Sequence, residues 1–371
     1  MILRCLQNIG GLPLLFVVIS LLIGTTTASV GDRLPEFREC LEICKKENCQ
    51  NGDSSVALFH RLLLWSCPAE CDYTCQHIIT DMRVSHDPPL PVVQFHGKWP
   101  FHRILGMQEP LSVIFSLLNY AAHYQGLHKI RKFIPASYPL RKYYINLAYV
   151  GMVSWIASSV FHTRDFQLTE ELDYFGAGAN VLYGLYYTPI RVFRLDKGGA
   201  RAKSVVRAWT TLCIILFLAH VTYLYGLYYT PIRVFRLDKG GARAKSVVRA
   251  WTTLCILLFL AHVTYLKYYS WDYTYNMAAN IAAGVLQNAM WTYFSITKYR
   301  QSKRMWAAWP GIVVAWVIIA MSLELLDFPP IGGHLDAHAL WHLGTVFPTV
   351  LFYNFLLRDS QDDIAGARLK A

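Results

Sequence analysis

The stretch "ASSVFHTRDFQLTEELDYF", Ala157–Phe175, joins two long apolar runs, and its reading decides the fold. Runs of about 20 apolar residues are long enough to cross hydrocarbon as helices, so this polar hinge belongs at the edge of a bilayer. Ser158 and His162 stand at i and i+4 and share one face of the run that ends here. Asp173 opens the next run, eleven residues after His162. A lipid-facing surface disfavours all three, so other parts of the chain must meet them.

Composition supports a membrane reading. Of 371 residues, 54% are hydrophobic and 16% charged, where a soluble domain carries about 25% charged. Candidate spans run over 110–128, 143–162, 171–192, 206–226, 271–297, 305–326 and 335–357. The fold class is therefore an all-α polytopic membrane protein, a seven-transmembrane helix bundle over residues 106–357. The net charge of +11 is carried by short loops between the spans. Lys129, Arg131, Lys132, Arg141 and Lys142 follow the first span, Arg191, Arg194, Lys197, Arg201, Lys203 and Arg207 the third, and Lys298, Arg300, Lys303 and Arg304 the fifth. The alternate loops, "DFQLTEELD", "SWDY" and "LELLDFPP", are acidic. This is the positive-inside pattern: basic loops and the tail, 358–371, face the cytosol, and the Ala157–Phe175 hinge faces the lumen. With the charge so placed and no nucleic-acid-binding motif, nucleic acid is excluded as a partner.

Residues 1–29 read as a signal peptide: Arg4, the apolar core "LPLLFVVISLLIG", then small residues with a cleavage site near Ala28. Residues 30–105 then form a luminal Cys-rich domain holding Cys40, Cys44, Cys49, Cys67, Cys71 and Cys75. An even count in a secreted segment reads as three disulfides, with about fifteen pairings open. CxxC pairs, which would favour zinc, are absent from it. His60, His77 and His96 in this domain read as structural or solvated.

Residues 182–223 recur as 224–265, with Ile215 against Leu257 the one difference. Structural repeats share a pattern and diverge in detail; near-identity indicates a very recent duplication or an assembly error. The copy adds an extra apolar segment and a second basic loop. If it contributed a single crossing, everything downstream would invert, and the last span would carry its polar residues away from His162.

The last span opens with "HLDAHALWH", which places His338 and His342 at i and i+4 on one helix face. In a seven-span topology Ser158, His162, Asp173, His338 and His342 all reach the luminal level. Individually each has a bland reading: imidazoles pack, a Ser in a span bonds its own backbone, and Asp173 caps a helix. Together, three imidazoles suit zinc, with a fourth position for water, the ligand count of a catalytic site. Asp173 then serves as general base, and Ser158 orients the water or donates to a developing oxyanion. His334, off the i,i+4 face, is left out of the set, and Asp336 reads as a helix-start residue.

These residues also carry a resemblance. "SSVFHTRDFQLTEELDYF", "SWDYTYNMAAN" and "LLDFPPIGGHLDAHALWH", with "GDRLPEFRECLEICKKENC" and "CPAECDYTCQ", resemble the Per-one-like family of the CREST superfamily. That superfamily includes alkaline ceramidases and progestin/adiponectin receptors. Its pattern of Ser, His, Asp and a closing HxxxH falls on Ser158, His162, Asp173, His338 and His342. The resemblance implies a zinc-dependent, phospholipase A2-type hydrolase of the Golgi or endoplasmic reticulum membrane. It would remove the sn-2 acyl chain from the lipid of GPI-anchored proteins, which would be its partners. A ceramidase-like amidase, a receptor that keeps the metal without turnover, and a quality-control factor for GPI-anchored proteins stay open as alternatives.

Overall fold

The computed structural model describes residues 29–50, 52–197, 199–221, 273–324 and 326–368. The signal-peptide residues before Ser29 and the repeat copy at 224–265 lie outside the described residues. Among the described residues the secondary structure is helical, with isolated bridges and no strand. The chain divides into two units. The larger comprises Ala28–Trp209 and Gln287–Ala371; the smaller contains Thr210–Leu286. The account below concerns the larger.

Its N-terminal part holds α1 (Pro35–Asn48), α2 (Leu58–Leu62) and α3 (Cys67–Val84). Both longer helices start with proline within the first two positions, where a missing N–H costs nothing. Ser66 caps α3 by accepting from the Ala69 amide at 3.4 Å. The four-residue spacing puts Cys40 and Cys44 on one face of α1 and Cys67, Cys71 and Cys75 on one face of α3. Laid antiparallel, the faces close a ladder: Cys40–Cys75, Cys44–Cys71 and Cys49–Cys67. Spacing alone cannot choose this pairing, because it depends on helix direction. A small core of Phe37, Ile79, Val93 and Phe95 sits beside the ladder.

Seven longer helices follow among the described residues. They are α4 (Pro110–Phe133), α5 (Arg141–Thr163), α6 (Gln167–Val192), α7 (Ala200–Val221), α8 (Tyr273–Ser302), α9 (Trp309–Glu324) and α10 (Ala337–Arg368). Three segments, Arg141–Thr163, Met305–Glu324 and Ala337–Gly366, are long and apolar enough to cross a membrane by length and composition. Close approach is set by small residues, as expected where helices pack in lipid. Gly126 of α4 lies flat against the Tyr353 ring of α10, and Gly151 of α5 against His123 of α4. His123 Nδ1 in turn pairs with the Tyr353 hydroxyl at 2.8 Å. Tyr144, Tyr187, Trp291, Phe355 and Leu356 fill the core between them.

Charge marks one end of this bundle. Arg191 forms a buried, two-pronged ion pair with Asp359. Arg194 and Lys197 each reach Asp363 at 2.6 Å, and Lys298 reaches Asp362 at 3.0 Å, where Arg304 also pairs. Helix α10 continues past residue 357 to bring these aspartates there, with Asp359 and Ser360 fully buried. Residues 194–197 and 298–304 are thus fastened to the same turn of α10. The inversion that a single added crossing would cause is not what the larger unit displays: His338 and His342 stand beside His162.

Candidate metal centre

The site lies at the other end of the bundle. Helix α5 delivers Ser158 and His162 in its last two turns, and α10 delivers His338 and His342 in its first two. Asp336 caps α10 by accepting from the Ala339 amide at 2.8 Å, which fixes where the histidine face begins. Backbone bonds from Gln108 to Thr163 and from Glu109 to His162, both 3.0 Å, pin the start of α4 to the end of α5.

Each imidazole is held from outside by its Nδ1. His162 donates to Glu109 Oε2 at 2.7 Å. His338 donates to Glu324, 2.9 Å from both carboxylate oxygens. His342 Nδ1 pairs with Ser116 Oγ at 2.9 Å, and Ser116 Oγ with Ser158 Oγ at 3.1 Å. Asn119 Nδ2 donates to the His342 carbonyl at 2.8 Å.

All three Nε2 atoms therefore point inward. The His338–His162 separation is 3.4 Å and the His342–His338 separation 3.0 Å, and the three rings offer ligand atoms within 4.8 Å of one another. Nitrogens bound to a tetrahedral zinc at about 2.0–2.1 Å stand about 3.3–3.4 Å apart. Three ring nitrogens that converge at this spacing suit a shared cation. The outer carboxylates are what metal-ligating histidines ordinarily have behind them. The residues fit zinc.

Asp173 lies on α6, partly buried, two turns after the helix starts at Gln167. It is therefore not the helix cap. Its neighbours include His162, His338, Lys98 and Glu109, and it makes no hydrogen bond to any of them. Ser158 is turned toward Ser116, behind His342 rather than beside the inward Nε2 atoms. His334 stands apart, near His102, with ring centroids 5.8 Å apart. His60, His77 and His96 are engaged locally, with Glu70, the Phe101 carbonyl and Asp72.

Sequence reasoning missed Glu109, Glu324, Ser116 and Lys98. Lys98 Nζ bridges Glu109 at 2.6 Å and Asp165 at 2.9 Å. Burial opposes ionisation of Glu109, but Lys98 and His162 hold its carboxyl well below the usual carboxylate range. The available signal was Glu109 itself, a carboxylate next to Pro110 at the same edge as His162. "LELLDFPP" reads as an acid-rich loop facing the lumen, which hides Glu324 as a partner of His338.

A family model described as the Per1-like family matches residues 57–226 and 222–360. The chain belongs to the Per1-like family. The two matched pieces meet where the two repeat copies meet. Among relatives, the PER1 homolog of Schizosaccharomyces pombe is 38% identical over 349 residues, spanning 93% of this chain and 91% of that protein. A human protein named GPI-specific phospholipase A2-like PGAP3 is 32% identical over 357 residues, 95% of each chain. Protein PER1 of Saccharomyces cerevisiae is 33% identical over 394 residues, 93% of this chain and 97% of that one.

Proposed function

We propose that this Per1-like chain is a zinc-dependent lipid acyl hydrolase that removes the sn-2 chain from the anchors of GPI-anchored proteins in the Golgi or endoplasmic reticulum. The observation that carries the reading is the inward convergence of three Nε2 atoms whose Nδ1 atoms are all engaged from outside. His162, His338 and His342 would hold the ion. Bound there, zinc supplies Lewis acidity toward an ester carbonyl and a lowered pKa for water. The relatives named GPI-specific phospholipase A2-like support the choice of an ester substrate over the amide of a ceramidase-like reaction.

The chain's own groups divide the remaining work. Glu109 and Glu324 would fix the tautomers of His162 and His338 by accepting hydrogen bonds from their Nδ1–H groups, so that Nε2 keeps its lone pair. Ser116, backed by Ser158, does the same for His342. Asp173 would accept the proton of the attacking water and return it to the departing glycerol oxygen, releasing fatty acid and lyso-lipid. Ser158 reaches an oxyanion only by turning from Ser116. The basic loops support a cytosolic opposite end, and the site would then face the lumen, where a GPI headgroup would lie.

The test is mass spectrometry of GPI lipids from cells lacking their own remodelling factor. The cells express this chain whole or with 224–265 removed. Loss of the unsaturated sn-2 chain, reversed by His338→Ala, is the expected result. An unchanged anchor lipid from folded, correctly located protein would overturn the hydrolase reading in favour of a client-binding role. Asp173→Asn separates the two further: it stops turnover while zinc content and folding persist, and a binding protein tolerates it.

A further inference from the structure

Two leucines occupy backbone positions that normally call for glycine. Leu64 follows the last turn of α2 with φ 62°, where the Trp65 amide bonds back to the His60 carbonyl at 3.0 Å. That is the left-handed terminator of a helix, usually Gly. Leu105 and Gly106 are the central pair of a tight turn closed by Met107 N to Ile104 O at 3.0 Å, with φ 50° and 71°. Such turns favour Asn or Gly first. A bulky side chain in this region is an outlier that points to function.

Both leucines are also thrown outward, Leu64 64% and Leu105 73% exposed. They are neighbours. Gly106 packs closely against Leu63 and Phe59, and the Trp65 indole N–H donates to the Gly106 carbonyl at 2.9 Å. Around them Leu58, Phe59, Leu62 and Ile104 are exposed too, making one apolar knob.

The knob has a rigid base joined to the site end of the bundle. Trp65 is buried between the guanidinium groups of Arg103 and Arg164, 3.2 and 3.9 Å from its ring centroid. Arg164 ends α5, two residues past His162. Leu105 precedes the first residue of α4, Pro110, by five residues, at most about 18 Å of extended chain. On the membrane reading of the bundle, an apolar surface this close to the start of α4 is within reach of lipid.

We propose that the knob of Leu62, Leu64, Ile104 and Leu105 inserts into the bilayer leaflet adjoining the histidine site, holding the disulfide domain on the membrane surface. The inference rests on the reading of α4–α10 as a membrane bundle. Its ligand is the interfacial lipid itself, taken up by apolar contact as amphipathic surface elements are. Lipid around the knob removes the exposed leucines from water, and it sets the height of the site above the acyl region.

Nitroxide labelling of the full chain in phosphatidylcholine nanodiscs tests this. Cys5, Cys213 and Cys255 are first replaced by serine. Single labels go at Leu105→Cys and Leu62→Cys, at the exposed α1 position Glu36→Cys, and at Ile318→Cys on the exposed face of α9. The expected result is a ratio of oxygen to aqueous nickel-complex collisions several-fold higher at 105 and 62 than at 36, approaching that at 318. Lipid-like values at 318 with water-like values at both 105 and 62 would overturn the knob alone, leaving it free for another copy or a client. Water-like values at 318 would overturn the membrane bundle beneath it. Leu62 lies in ordinary helix, so its label reads the knob even if Leu105→Cys perturbs the turn.

Discussion

The two ends of the bundle both bury charged and titratable side chains, yet they are built on opposite rules. At the α10 C-terminal end every positive group named has a negative one: Arg191 with Asp359, Arg194 and Lys197 with Asp363, Lys298 and Arg304 with Asp362. At the other end the outer atoms are equally well matched, but the inner ones converge on each other: three Nε2 atoms meet at 3.0 and 3.4 Å with no carboxylate between them. Closed pairs fasten helices. Matched backs with converging fronts describe a site.

That contrast can be broken by mutation. The largest effect is at the histidine end: His338→Ala or His342→Ala is expected to abolish lipid hydrolysis and zinc retention while the protein still extracts and folds. Asp359→Ala, at the other end, should do the reverse. It leaves Arg191 buried without its partner, a loss of about 3–5 kcal/mol in a denaturation assay, with zinc still bound per folded molecule. Glu324→Gln sharpens the comparison, because it removes only the back of His338. Zinc affinity should fall about 10–100-fold, read by competition with a chelator, with little change in fold stability. Gly126→Ala drives a methyl group into the Tyr353 ring and should cost about 1–3 kcal/mol with no change at the metal.

The smallest effect is a pH dependence in the disulfide domain. The hydrogen bond to Asp72 raises the pKa of His96 above its usual value against the opposing effect of burial. Stabilisation from the charged imidazole is full below about pH 6.5 and fades as pH rises through the raised folded value. Asp72→Asn should flatten that slope in a thermal melt of the full chain.

The helical architecture and the grouping of His162, His338 and His342 were legible in the sequence because both rest on local periodicity. Ser158, His162, His338 and His342 declare themselves by i,i+4 spacing, and the six cysteines by count. What stayed hidden depends on contacts between distant segments. The order of the disulfide ladder needed the direction of α1 against α3. Glu109 and Glu324 were invisible as partners because nothing near them in sequence contains a histidine at helical spacing. Ser158 shows the converse: its position was legible, but its orientation toward Ser116 was set by α4, 42 residues upstream. The ion pairs of Asp362 and Asp363 with residues 194–197 and 298–304 likewise join segments about 100 residues apart in sequence.

The most direct test is elemental analysis of the purified full chain, with His162→Ala, His338→Ala and His342→Ala beside it. One zinc per folded wild-type molecule, lost in all three variants and kept in Asp359→Ala molecules that remain folded, is the predicted result. Zinc absent from active wild-type protein, or retained when all three histidines are replaced together, would contradict the assignment of the histidine end as a metal centre.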